Sequence, residues 1–182
     1  MSDAVSQAQL KATLWAQPGA HVHAVIDGMV MPGLAQRLAQ ADVAGWDCLQ
    51  RGALSTEQAE QAAYLVELRA DSAYTDLLLG EAVGTYPGWG LLLVSRHALL
   101  PVREHCRALS TVTVPDGERR PWRWYDPQVL GAILPALQPS QLDLLFELEQ
   151  SFVMVSKTDW TWHSLRNGLL ETDRRALLTP AG

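Results

Sequence analysis

Cysteine is scarce. Cys48 and Cys106 are the two in 182 residues, they lie far apart, and no Cys-x-x-Cys pair occurs. That argues against a disulfide framework and against a thiolate metal site. Long apolar runs are missing too: no segment approaches the ~20 residues of a membrane span. Met1-Ser2-Asp3 lacks the basic flank and apolar run of a secretion signal, so the expected compartment is the cytoplasm. Positive charge is in deficit. A net charge of −6 weighs against a general nucleic-acid binder, whose affinity rests on cations set against phosphates. Gly80, Gly84, Gly88 and Gly90 fall in no Gly-Lys-Ser/Thr or Gly-x-Gly-x-x-Gly pattern, which leaves nucleotide binding without support. Ser95, in Leu-Val-Ser95-Arg-His, lacks the flanking glycines of a nucleophile elbow and reads better as a helix cap. Repeats, linkers and low-complexity blocks are absent.

What is there is an ordinary globular composition, 48% apolar and 19% charged, with a surplus of seven tryptophans. The length suits one domain with a real core. We take 1–182 as a single domain, with a core over 21–163, an N-terminal helix over 1–18, and a tail or short helix over 164–182. Periodicity places strands at His21–Asp27, Ala63–Leu68 and Trp89–Ser95, the last nearly all apolar and therefore central. Helices are expected over Leu34–Gln40, after the Ser55/Gln58 capping box, after Asp71 or Ser72, and over Leu99–Leu109. Val43–Gly52 has no clear element type, but Trp46 and Leu49 are expected to be buried. Thr111–Val114 and Arg120–Tyr125 flank an Asp116-Gly117 turn and read as a hairpin. Ser140 with Asp143 reads as the cap of a further helix, and Phe152–Val155 with Asp159–Trp162 as a last hairpin. Interleaved strands and helices predict an α/β fold, with a mixed sheet of about five to seven strands flanked by helices on both faces.

One stretch stands out. Trp122, Arg123, Trp124 and Tyr125 form an aromatic, cationic run that suits a half-buried strand. Asp126-Pro127 then starts a helix, with Asp as N-cap and Pro at the first helical position. Val129, Leu130, Ile133, Leu134 and Leu137 follow at helical spacing. Arg103, Arg107, Arg119, Arg120 and Arg123 are close enough in sequence to converge on an acidic partner or an anion. Weighed against this, Arg123 or Arg107 pairs with Asp126 and fixes the joint, the reading we favour for Arg123 and Asp126. Trp122 and Trp124, like Trp160 and Trp162, alternate along strands, so each pair points to one sheet face. Those left exposed would be protein-binding anchors.

Other constellations are weaker. His21-x-His23 with Asp27 nearby could begin a metal site, but the spacing is permissive and two partly buried polar residues at a strand start is the favoured reading. His105 beside Cys106 is badly placed as its base, since adjacent helical residues do not face each other, and Cys106 falls on the apolar stripe. We assign no catalytic residue, no metal and no cofactor.

The ordered motifs resemble those of the type VI secretion adaptor family, chaperones that load effectors onto the tip of the VgrG spike. His23-Ala-Val-Ile-Asp27-Gly28 resembles the family's opening strand. Ala63-Tyr64-Leu65-Val66-Glu67-Leu68 resembles its "aPyLv-L" segment, with Ala63 in place of proline. Trp89-Gly90-Leu91 to Ser95 resembles its central strand, and His105-Cys106-Arg107 stands where His-Leu-Arg is common. Arg123-Trp124-Tyr125-Asp126-Pro127-Gln128-Val129-Leu130 resembles "R-x-YDPRvL", with Gln128 replacing the arginine. The match covers most of 21–163. It implies a non-catalytic adaptor that binds a cognate effector in the cytoplasm and passes it to the VgrG spike protein, without nucleic acid or membrane insertion. It also implies that the further helical lobe of many relatives is missing or reduced here. The candidate interaction or motif residues are Trp89, Arg103, Arg107, Arg120, Trp122, Arg123, Trp124, Tyr125, Asp126 and Gln128. The alternatives are an immunity-type toxin-binding protein, and a metal- or thiol-dependent hydrolase using His21, His23, Asp27 or the His105 region.

Overall fold

The structure is a computed structural model and describes residues 5–178; the outermost residues of the expected N-terminal helix and C-terminal tail lie outside that range. Seven strands form one sheet in the order β2-β3-β1-β4-β7-β8-β9. They are β1 (His21–Asp27), β2 (Gly45–Cys48), β3 (Ala63–Glu67), β4 (Gly90–Ser95), β7 (Ser151–Val155), β8 (Asp159–Arg166) and β9 (Leu169–Ala176). β5 (Thr111–Thr113) and β6 (Arg119–Pro121) form a separate two-stranded sheet. The nearly all-apolar β4 takes the middle position, because both of its faces are covered.

The α/β class and single domain stand, and helices pack on both faces. Strand direction differs from the mixed sheet expected. Each ladder of the sheet is antiparallel, and a parallel contact occurs at the isolated bridge of Val5 with Leu177. Helix–strand alternation shows how many layers a chain makes. It does not show whether each connection returns to the same end of the sheet, and that decides direction.

Alternation along the strands sorts side chains into two cores. On one face Val22, Ala24 and Ile26 of β1 meet Tyr64, Val66, Leu92, Val153 and Trp160. This face is covered by α1 (Gln7–Leu14), α2 (Leu34–Gln40), α4 (Ala73–Leu79) and α5 (Glu81–Thr85). On the other, Val25, Leu65, Leu91, Leu93 and Phe152 lie under α6 (Leu99–Leu109), α7 (Pro127–Ile133) and α8 (Pro139–Leu145). The short α3 (Thr56–Gln61) starts with the expected capping box: Ser55 accepts from the Gln58 amide and Gln58 from the Ser55 amide.

Four local expectations are corrected. Trp122–Tyr125 is not a strand arm: β6 stops at Pro121, and the Asp126 amide donates to the Arg123 carbonyl in a tight turn. The aromatics there fill core space instead of pleating, a case of burial overriding β propensity. Residues 169–176, expected within a tail or short helix, form edge strand β9. Its register comes from Asn167-Gly168, both at positive φ in a two-residue hairpin turn. The α8 cap is Gln138, whose amide donates to the Gln141 side chain, rather than Ser140. Trp46 is 37% exposed on edge strand β2, while Leu49 is buried as expected.

Candidate functional site

The two most distinctive motifs meet in space. Asp27 is the last residue of β1, and alternation points its carboxylate to the α6–α8 side. Its amide donates to the Trp89 carbonyl at 2.8 Å, and its Oδ1 accepts from the Met29 amide at 2.9 Å. Its Oδ2 accepts from Arg123 Nη2, across 96 residues of sequence. The Asp27 side chain is 2% exposed and that of Arg123 is 42% exposed. Gly28 follows because a Cβ there would collide with the carbonyl oxygens of Ala62 and Glu60. Asp126 caps α7, accepting from the amides of Gln128 (2.9 Å) and Val129 (3.4 Å). The expected pairing of Arg123 or Arg107 with Asp126 is therefore corrected: Asp126 serves the helix amides, and Asp27 takes Arg123.

Charge and burial shape this joint. Tyr125 is half-buried, and its hydroxyl is pushed up to about 12, first by burial and then by the negative charge of Asp27. Burial opposes the charge on Arg123, but the hydrogen bond to Asp27 and the charges of Asp27, Tyr125 and Asp126 together outweigh it and hold the guanidinium further toward the protonated form. Trp124 is fully buried, edge-on to Phe152, and its indole N–H donates to Ser110 Oγ. Trp122 donates to the Leu109 carbonyl. The run is thus a fastener between the end of β1, the end of α6 and the start of α7.

The five arginines do not converge. Arg103 pairs with Asp47 of β2, and Arg107 donates to the Cys48 carbonyl at 2.7 Å, so these two tie α6 to edge strand β2. Glu104 completes that surface network with Arg51, Arg103 and Arg107. Arg120 pairs with Asp116 and Glu118 inside its own hairpin, and Arg119 is exposed. Among the tryptophans, Trp89, Trp124 and Trp160 belong to the core and present no surface. Trp122 and Trp162 are half-buried. Gln128 is exposed at the start of α7.

The residues of the hydrolase alternative are separated or sealed. His21 Nδ1 lies 2.6 Å from Glu67, and His23 Nε2 lies 3.7 Å from the same carboxylate, beyond hydrogen-bond range. Asp27 is at the far end of the strand and bound to Arg123. Among the described residues no group of three or more His, Cys, Asp or Glu is arranged to hold a metal. His23 is wholly buried, neither ring nitrogen has a hydrogen-bond partner, and burial pushes it down to about 4 against the opposing pull of Glu67. Cys106 is sealed in the core, and burial drives its thiol far up. His105 faces Leu145 and Gln150 instead. Ser95 Oγ accepts the His97 amide at 3.1 Å, supporting the turn before α6 rather than capping it; the N-cap is Ala98. Sequence reading missed Asp47, Glu67 and Gln150, whose partners are remote in the chain.

A second feature is a polar groove of about 1110 Å3 where β4, β7, β8 and β9 end beside α1. Arg96, Glu149, Trp162, Asp173 and Arg175 line it. Arg175 lies over the Trp162 ring at 5.2 Å.

A family model described as a domain of unknown function, DUF4123, matches residues 22–144, a span that holds both halves of the Asp27–Arg123 joint. No curated protein and no solved structure matches the chain.

Proposed function

The chain belongs to the DUF4123 family, and from that premise we propose that it is a non-catalytic adaptor, which binds a type VI secretion effector in the cytoplasm and helps load it onto the VgrG spike protein. The observation that carries the reading is the meeting of the two diagnostic motifs. Asp27-Gly28 and Arg123 to Leu130 are the residues most like those of the secretion adaptors, and their side chains are spent on an ion pair, a helix cap and core packing. Such residues hold a scaffold, and a scaffold that presents surface is what an adaptor needs. Exposed Trp46 and half-buried Trp122 and Trp162 supply anchors of the kind that dominate protein interfaces.

Co-expression with a candidate type VI effector and with a VgrG spike protein tests the reading. A complex is expected to co-purify with the effector, and the effector is expected to be more soluble with the chain than without it. Absence of binding to either protein, alone or together, rejects the adaptor role. Protection from toxicity without any gain in secretion would instead mark an immunity protein.

A further inference from the structure

We propose that edge strand β9 is where an extended segment of the effector joins the sheet, an inference that rests on the adaptor reading and names its contact surface. β9 pairs with β8 along its whole length, from Arg166 opposite Leu169 to Asp159 opposite Ala176. In a two-residue hairpin the residues flanking the turn exchange both backbone bonds, and bonding alternates from there. Leu169, Glu171, Asp173 and Arg175 therefore bond to β8, while Leu170, Thr172 and Arg174 aim their N–H and C=O groups outward. Among the described residues nothing pairs with these three.

The edge is competent to pair. At its far end the Val5 amide donates to the Ala176 carbonyl at 2.9 Å, and the Leu178 amide donates to the Val5 carbonyl at 3.0 Å. Those bonds confirm the outward parity and close the edge at Ala176. Among the described residues the open window is thus Leu170–Arg174. The opposite edge, β2, is four residues long.

Charge decides between a second copy of this chain and a different strand. Symmetric antiparallel pairing centred on Thr172 sets Glu171 opposite Asp173 of the other copy, twice. Centring on Glu171 or Asp173 sets a carboxylate against itself, and the latter register also runs into Val5. Like charges directly opposite are destabilising in a sheet. Glu171 and Asp173 each pair with a surface arginine, Arg166 at 3.2 Å and Arg175 at 2.8 Å, which offsets part of their charge; a neutral or basic residue opposite adds no like-charge contact, whereas a second acid does. The strand that fits is an extended segment with hydroxyl, amide or basic side chains at the two alternate positions facing Glu171 and Asp173. These positions lie beside the polar groove with Trp162, where alternate side chains of an added strand gain specificity.

Hydrogen exchange on the free chain and on the co-expressed complex tests this. In the free chain the amides of Leu170, Thr172 and Arg174 are expected to exchange fast, and those of Glu171, Asp173 and Arg175 slowly. In the complex the first three slow by at least about tenfold, the equivalent of one ladder bond each. Thr172→Pro removes an outward amide that β8 does not use, so β9 tolerates it, and effector binding is expected to weaken at least about tenfold. Thr172→Val, which loses the hydroxyl held by His163 but keeps the amide, binds as wild type. Slow exchange at all six amides of the free chain, full binding by a folded Thr172→Pro, or a dimer that Thr172→Pro dissolves would each overturn the proposal. If wild type forms no complex at all, the adaptor reading itself has failed; if wild type binds and Thr172→Pro binds equally, the edge alone is wrong.

Discussion

A half-exposed arginine holding a buried carboxylate sets the order of importance within the diagnostic motif. Removing Arg123 leaves Asp27 charged and uncompensated in the core, and breaking one partner of such a pair costs more than the pair itself contributes. Arg123→Ala is expected to lower stability by about 2–3 kcal/mol, below the range for fully buried pairs because Arg123 is partly in water. Asp126→Ala removes an N-cap and costs about 1 kcal/mol. Chemical denaturation of the two variants checks the ranking; equal losses would refute it. His23 supplies a pH dependence. Its folded pKa is about 4 and its unfolded pKa about 6.5, so the unfolded chain binds the extra proton between these values. The neutral ring's contribution is present above pH 6.5 and is lost as pH falls toward 4, by about 3 kcal/mol in all. A His23→Leu variant should lose less stability than wild type over that window, measured by melting at pH 7 and pH 4.5. Of these residues, the Asp126 cap was legible in sequence because a cap is local. The partner of Arg123 was not, because it lies 96 positions away.

Among the elements, β4 and the β5–β6 hairpin mark the extremes of constraint. Gly90 opens β4 at φ +148, and a Cβ there would be driven into the Val25 carbonyl of the neighbouring strand. Gly90→Ala is expected to cost more than about 3 kcal/mol, by strain and collision together, and to show as loss of soluble protein or a much lower melting temperature. The hairpin carries exposed Arg119 and Arg120 on one arm and pairs through three registers outside the main sheet. Two strands with little apolar burial are marginal, so its amides should exchange far faster than those of β1 or β4. The Asp-Gly turn correctly announced a hairpin. Where that hairpin ends depends on Pro121 and on the core's claim to Trp124, which no local pattern carries.

At the scale of the whole molecule, β9 changes the status of the last residues from appendage to sheet edge. Ending the chain after Arg166 would leave β8 paired with β7 on one side alone and open the Trp160 and Trp162 side of the first core. Such a truncation is expected to aggregate or to unfold without cooperativity, seen as dye binding and a broadened melt; a sharp transition near the wild-type temperature would show that the sheet does not need β9. β9 escaped sequence reading because its Leu-Glu-Thr-Asp-Arg-Arg run has the polar composition of an exposed strand, which resembles that of a loop.

By itself the sequence determined the local signals: the caps at Ser55 and Asp126, the α6 boundaries at Leu99 and Leu109, the buried β4, and the motifs that place the chain in its family. Each depends on neighbours within a few residues, where periodicity and turn chemistry act. Tertiary structure alone decided the antiparallel direction of the sheet, the Asp27–Arg123 joint, the complete sealing of His23, and, among the described residues, the open edge of β9. Those depend on which distant segments share a face, and on which backbone groups face outward once the strands are paired.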